Sequence, residues 1–263
     1  MKRRTYLSLA VAGACTLGLP PARAQVMNLN DAINKAGRQR MLSQRLGKAW
    51  LALLQGVETA NAQSVLDRSL ALFDRQLVEL KGFAPTPEIQ ATYSKLEITW
   101  SDYKAALVGI LPKRANAATL LQLDSRVLGL AQQGTVQYEA VLDKPVGKLV
   151  NVAGRQRMLT QRMAKFYLAA TLPVDSSDAA AEIAKARSEF IAAMTLLRNA
   201  PEATARIKDE LVLADAQWLF FDAALQKLKQ GAQPRSMADV FVTSENLLTV
   251  MDRVTGLYSA LTT

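Results

Sequence analysis

A ten-residue block occurs twice in this chain. Residues 36–45 read Ala-Gly-Arg-Gln-Arg-Met-Leu-Ser-Gln-Arg, and residues 153–162 repeat them with Thr for Ser, nine identities at an offset of 117. Around the block, Asn34 matches Asn151 and Lys48 matches Lys165. Weaker echoes follow in order: Phe73 and Phe190, Trp100 and Trp218, Ala105-Ala106-Leu107 and Ala223-Ala224-Leu225, Tyr138 and Tyr258. The offset drifts from 117 to 120, as loop insertions produce. Self-similarity of this kind means one structural unit used twice, so the fold must be that of a unit of about 120 residues and its copy.

Each unit reads as four helices. Apolar residues recur at three and four rather than at two, and β-branched runs that would mark strands are missing. The first unit places helices near 29–56, 62–81, 87–111 and 116–142; the second near 145–171, 177–199, 201–230 and 236–261. Thr86-Pro87-Glu88 is a capping residue followed by proline at the first helical position. Pro112 closes the third helix, Pro201-Glu202 opens the seventh, and Ser236 with Asp239 resembles a capping box that opens the eighth. Asp143-Lys144-Pro145 breaks the chain between units. Short loops favour antiparallel neighbours. The expected fold is all-α: two tandem antiparallel four-helix bundles related by a pseudo-twofold, over residues 25–143 and 144–263.

Residues 1–24 read as a targeting segment: a basic start at Lys2-Arg3-Arg4, an apolar stretch from Tyr6 to Leu19, and Ala22-Arg23-Ala24 before Gln25. General secretory, twin-arginine and lipoprotein routes all stay open, the last through Cys15. Cleavage leaves a mature chain with neither His nor Cys. That removes His-dependent nucleophile systems, zinc fingers, haem and iron–sulfur ligation by these residues, and disulfides. General acid–base candidates are scarce, so the chain is not expected to be an enzyme and no cofactor is expected. The mature charge falls from +9 to about +5. Scattered basic residues on an exported chain do not suggest nucleic-acid binding. Asp209, Glu210 and Asp215 read as a solvated face, and Trp100, Tyr103, Trp218 and Phe221 as core.

The repeated block lies on the first helix of each unit. At about 100° per residue, Leu42, Leu46, Ala49, Trp50 and Leu53 form one apolar stripe. Asn34, Arg40, Met41, Gln44 and Lys48 gather on the opposite face around Gly37, with Arg38 and Arg45 at its flank. A basic helical face is ordinarily solvated. Here the two units differ almost everywhere else, and a solvated face has little physical reason to stay alike while cores drift. Neither block holds an Asp or Glu. If the two faces meet across an axis, Arg40 and Arg157 oppose each other with Arg45 and Arg162 close by. Facing guanidiniums repel by about 4 kcal/mol per pair at about 4 Å and an effective dielectric of about 20. A small oxyanion between them relieves this and accepts forked hydrogen bonds, with Gln44 and Gln161 as further donors.

The pattern Asn-x-Ala-Gly-x-x-Arg-Met-x-Ser/Thr-x-Arg, at residues 34–45 and 151–162, resembles the P-box of nitrate and nitrite sensor kinases. It is also similar to the N-terminal ligand-binding domain of type IV pili methyl-accepting chemotaxis transducers, the PilJ-type domain. The resemblance implies a periplasmic four-helix sensor domain that dimerises and binds nitrate between its first helices. It implies that Arg40 and Arg157 contact the anion, with Arg45, Arg162, Gly37 and Gly154 as the other matched P-box positions. Arg38 and Arg155 stand where nitrate sensors have a small polar residue, and Gln44 and Gln161 replace a tyrosine. These departures bear on which anion is bound. No kinase, methyl-accepting coiled coil or second membrane span accompanies the repeats, so transmembrane signalling is expected to need a partner.

The expected function is therefore an exported, periplasmic ligand-binding protein for a small inorganic anion, nitrate or nitrite favoured, that feeds a membrane sensor or transporter. It is expected to be a monomer with an internal pseudo-dimer. The alternative is a non-sensing helical interaction module that docks on a membrane receptor or a type IV pilus-related chemosensory machine.

Overall fold

A computed structural model describes residues 25–109, 111–172, 177–231 and 233–261. The targeting segment expected at 1–24 lies outside the described residues. Eight α-helices follow one another: α1 Leu29–Leu54, α2 Thr59–Phe83, α3 Pro87–Val108, α4 Ala117–Leu142, α5 Pro145–Ala169, α6 Ser177–Asn199, α7 Ala205–Gln226 and α8 Pro234–Ser259. No strand occurs among the described residues.

The starts follow local chemistry. The Asn28 side chain accepts from the Asp31 N–H, Thr86 from Ile89 and Thr204 from Ile207, each satisfying a donor that the first turn leaves free. Three expected starts move, that of α2 from 62 to Thr59. Thr204 outcompetes Pro201 as a cap, so Pro201-Glu202 forms a turn and α7 begins at Ala205. The capping box of α8 is Gln233 with Ser236, one turn earlier than Ser236 with Asp239, because proline at 234 fits the first helical position. The expected seventh helix also ends early, with a 3-10 turn over Lys227–Gln230.

Within the first unit α1 packs on α2 and α4, and α3 on α4; within the second α5 packs on α6 and α8, and α7 on α8. The largest helix–helix interface joins the units, between α1 and α5. These two run parallel. Gly37 lies against Gly154, and ten residues on Gly47 lies against Lys165. The result is two tandem four-helix bundles related by a pseudo-twofold, with α1 and α5 at its axis.

This position decides how α1 and α5 are buried. Nineteen of the 26 residues of α1 are buried and eighteen of the 25 of α5, against eight of 25 in α2. A helix buried on all sides is ordinarily apolar throughout. These two instead bury a core stripe on their own bundle and a basic polar stripe on each other.

The duplication is written in the cores. Phe73 stacks on Trp100 at 3.8 Å and Phe190 on Trp218 at 4.4 Å. Trp100 meets Tyr103 edge-on at 6.0 Å, and Trp218 meets Phe221 at 6.1 Å. The buried Tyr138 hydroxyl donates to the Leu80 carbonyl at 2.8 Å, and Tyr258 donates to Leu197 at 2.7 Å. Asp215 pairs with Arg198 and Glu210 with Arg253 near the surface, while Asp209 is exposed to solvent.

Removing one of these hydroxyls costs a buried hydrogen bond of about 1 kcal/mol and orphans a carbonyl. Tyr138→Phe and Tyr258→Phe are expected to lose similar stability, about 1–2 kcal/mol each. Urea denaturation measures both. A loss confined to one of them would break the equivalence of the two cores.

Candidate anion site between the two first helices

At the crossing of α1 and α5 the backbones come close because two glycines face each other. A Cβ on Gly37 would lie 3.8 Å from the Gly154 Cα, 3.0 Å from Arg40 Nη2 and 3.6 Å from Arg157 Nη2. A Cβ on Gly154 would lie 3.3 Å from Arg157 Nη2 and 3.6 Å from Arg40 Nη2. The space a side chain would take is occupied by guanidiniums from both helices.

Helical side chains lean toward the N-terminus, and both arginines use this to cross between units. Arg40 Nη2 donates to the Asn151 carbonyl at 3.3 Å, and Arg157 Nη2 to the Asn34 carbonyl at 2.9 Å. Both side chains are fully buried. Their second partners differ. Arg40 Nη1 donates to Gln132 Oε1 at 2.6 Å, whereas Arg157 Nη1 donates to the Asp252 carboxylate. The offset of 120 that aligns Tyr138 with Tyr258 also aligns Gln132 with Asp252, so equivalent places hold a neutral and a charged acceptor. The Nε of each arginine has no partner among the described residues.

Burial pulls the Arg40 guanidinium down to about 9, helped by Arg155 and Arg157. Burial pulls Arg157 to about 10, with Asp252 acting against it. Both remain cations at neutral pH.

Further toward the C-termini lies a second buried polar layer. Lys48 Nζ crosses to Ser244 Oγ at 2.9 Å and Glu245 Oε1 at 2.7 Å on α8. Lys165 crosses the other way to the buried Asp124 on α4. Asp124 also accepts from Gln44 at 2.9 Å and from the Tyr103 hydroxyl at 3.4 Å, while Gln161 donates to the Ser244 carbonyl at 3.1 Å. Burial lowers both lysines more than their carboxylates raise them, Lys48 to about 8. Burial alone would raise the Glu245 carboxyl, but Lys48 and Arg45 outweigh it and hold it at about 2. Asp252 is likewise held at about 2 by Arg157 and Arg38 against its burial.

The structure thus separates the ten residues singled out in the sequence. Gly37, Gly154, Arg40 and Arg157 share the axis, and Gln44 and Gln161 sit in the second polar layer. Arg38 and Arg45 turn to one flank, where Arg38 meets Asp252 at 2.9 Å and Arg45 meets Glu245 and, at 3.2 Å, Ser69. Arg155 and Arg162 turn to the opposite flank, where they meet Glu189 at 2.6 Å and Glu182 at 2.7 Å.

The expectation that no carboxylate neutralises these arginines is corrected here. The blocks contain none, but α6 and α8 bring Glu182, Glu189, Glu245 and Asp252 to the arginines. Arg40 is the exception, with no carboxylate within ion-pair distance among the described residues. Sequence reasoning passed over Lys48 and Lys165 as members of the buried layer, although their repetition was visible. It also passed over Gln132 and Asp252, whose equivalence the aligned tyrosines encode.

The family model for type IV pili methyl-accepting chemotaxis transducer N-terminal domains, PilJ, matches residues 23–125 and again residues 143–243. The chain belongs to the PilJ family. It carries the domain twice in tandem, and the buried junction is where the first helices of the two PilJ repeats meet. The family is defined by chemotaxis transducers rather than by a catalyst. No curated protein and no solved structure matches the chain. Among the described residues no group of three or more Asp, Glu, His or Cys could hold a metal, and no helix is long and apolar enough to cross a membrane.

The carboxylates of this junction set its behaviour in acid. Glu245 is lowered from 4.5 to about 2 in the folded chain, so the unfolded chain binds more protons between those values. The associated stability, on the order of 3 kcal/mol, is complete above the unfolded value and lost as pH falls from about 4.5 through about 2. Glu245→Gln should be less stable at pH 7 and show a flatter acid limb. Urea denaturation across this range checks it, and parallel limbs for both chains would contradict it.

Proposed function

We propose that this tandem PilJ protein is an exported sensory protein that binds a small monovalent oxyanion, nitrate-like, between α1 and α5. Arg40 and Arg157 are its main contacts, Gly37 and Gly154 make the room that their guanidiniums fill, and Gln132 and Asp252 set the charge around it. The supporting observation is the charge at the crossing: two fully buried guanidiniums, each with a free Nε–H, and one carboxylate in contact between them. An unpartnered buried donor costs about 1–3 kcal/mol, and more when charged. An anion accepting from both Nε–H groups removes that cost and the residual positive charge together. The anion would touch both PilJ repeats, so its occupancy would bias how the two bundles sit against each other. A membrane sensor or transporter reading that bias is the expected partner, and the periplasm the expected compartment.

A second reading is an interaction module docking on a receptor or pilus-related machine. One observation favours it. The outer face of α7 exposes Val212, Leu213, Leu219 and Phe220. The equivalent positions of α3, aligned through Trp100 and Trp218, are Ser94, Lys95, Ser101 and Asp102.

Calorimetric titration with nitrate and nitrite decides between these. Arg40→Ala and Arg157→Ala should each weaken binding by about 1.5–3 kcal/mol, the range for hydrogen bonds to charged groups. Their stabilities should diverge. Arg40→Ala gives up the hydrogen bonds to Gln132 and the Asn151 carbonyl but also removes a cation with no carboxylate in contact, so it should destabilise less. Arg157→Ala strips Asp252 of one of its two cations and should destabilise. Asp252→Asn should tighten anion binding by removing a competing charge. Wild-type chain that takes up neither anion returns the function to the docking reading.

A further inference from the structure

Beside the axial crossing, the pseudo-twofold generates two equivalent flanking grooves. One lies between α8, α1 and α2, the other between α4, α5 and α6. Arg155, Met158, Leu159 and Arg162 line the second on its first helix, and the equivalent positions on the α1 side are Arg38, Met41, Leu42 and Arg45. The grooves differ along one stripe of the fourth helix. On α8 that stripe is Glu245, Thr249 and Asp252; at the equivalent positions of α4 it is Ser125, Gly129 and Gln132. These positions are spaced i, i+4 and i+7, one face of a helix.

The consequence is steric and electrostatic. On the α8 side Glu245 and Asp252 reach into the groove and hold Arg45 and Arg38. On the α4 side the same space is open, a groove of about 330 Å³ lined by Ser125, Gly129, Gln132, Arg155, Arg162 and Lys185. A Cβ at Gly129 would meet nothing within 4 Å. The arginines are held from the opposite wall: Glu189 and Glu182 accept from the Nε and Nη2 of Arg155 and Arg162. Arg162 Nη1 reaches Gln44 only at 3.5 Å.

We infer that the α4–α5–α6 groove binds a short linear dicarboxylate, whose two carboxylates take the places that Glu245 and Asp252 fill in the equivalent groove. The volume falls in the range of small-molecule sites, about 300–1,000 Å³. Three cations, Arg155, Arg162 and Lys185, outnumber the two glutamates of the lining. Arg155 and Arg162 stand seven residues apart on α5, about 10 Å along the axis, so one extended molecule with an acid at each end spans them. The glutamates take the Nε–Nη2 edge of each guanidinium, so the Nη1–Nη2 edge is the planar fork left for a carboxylate. The groove meets the axial crossing at Gln132, which accepts from Arg40, but its cations are different ones and it does not depend on an anion binding at the crossing.

The test is calorimetric titration of the full chain with succinate, glutarate and adipate at matched ionic strength, with acetate and sulfate as single-centre controls. At least one dicarboxylate is expected to bind one to one, tenfold or more tighter than either control. The double variant Ser125→Glu with Gly129→Thr copies the α8 stripe into α4, and should weaken that binding at least tenfold while keeping or raising the melting temperature. Arg155→Gln, at a half-buried position, should weaken it as well and covers the case in which the double variant does not fold. Arg157→Ala, whose partners Asn34 and Asp252 do not line the groove, should leave it intact, which separates this groove from the axial site. No dicarboxylate binding above the controls, equal binding by the groove variants, or loss in Arg157→Ala alone would each overturn the inference.

Discussion

Everything in this molecule is arranged around cations buried between α1 and α5. Arg40, Arg157, Lys48 and Lys165 are removed from water at the junction of two bundles, which on its own would be prohibitive. Each is made tolerable by an acceptor on another helix, and three of the four by a carboxylate. All four reach an acceptor in the opposite repeat, a carbonyl for Arg40 and Arg157 and a carboxylate for Lys48 and Lys165, so the contacts are reciprocal. Lys48 cannot be satisfied unless α8 is in place, nor Lys165 unless α4 is. Buried ion pairs of this kind add little net stability over apolar packing but punish the loss of one partner heavily. Their effect here is to fix one register of α1 against α5. An apolar seam would allow sliding by a turn; a seam with Gly37 opposite Gly154 and lysines on each side does not.

The same interactions show how the two repeats diverged. At the second polar layer the carboxylate is Asp124 in one repeat and Glu245 in the other, one position apart after alignment, with Ser244 and Ser125 filling the vacated places. The negative charge needed by the lysine is kept while its source moves by one residue. On the flanks the shift is larger. Arg38 and Arg45 draw their carboxylates from α8 of the other repeat, whereas Arg155 and Arg162 draw theirs from α6 of their own. The equivalents of Glu182 and Glu189 on α2 are Val65 and Leu72. Charge is balanced on both sides, but one side closes and the other opens.

The fold was legible because helical period, caps and a repeat all point the same way. Thr86-Pro87 and the Asp143-Lys144-Pro145 break mark boundaries directly. The starts of α7 and α8 were misplaced for opposite reasons: Pro201 was read without weighing Thr204 as a cap, and Ser236 was read as a cap without weighing Pro234. The basic face was legible as a special surface, since Gly37 and Gly154 have no reason to sit mid-helix unless something comes close. Its neutralisation was not. The carboxylates that matter lie 20 to 214 residues from the arginines they meet, on other helices, and nothing local in the block encodes them. The one available signal was the register of the fourth helices, fixed by Tyr138 and Tyr258, which places Gln132 opposite Asp252.

That last pair carries the main consequence of having both repeats in one chain. In a symmetric dimer every residue at the axis is doubled, so two facing arginines come either with no carboxylate or with two. A covalent tandem escapes that parity. Asp252 neutralises Arg157 while Gln132 leaves Arg40 charged, and the crossing retains one positive charge rather than two or none. One residual charge is the amount that a single monovalent anion cancels. A divalent oxyanion would over-compensate it in a low-dielectric site, where an unbalanced charge is most costly. The proposed preference for a nitrate-like ligand thus rests on the broken symmetry of Gln132 and Asp252 as much as on the arginines themselves.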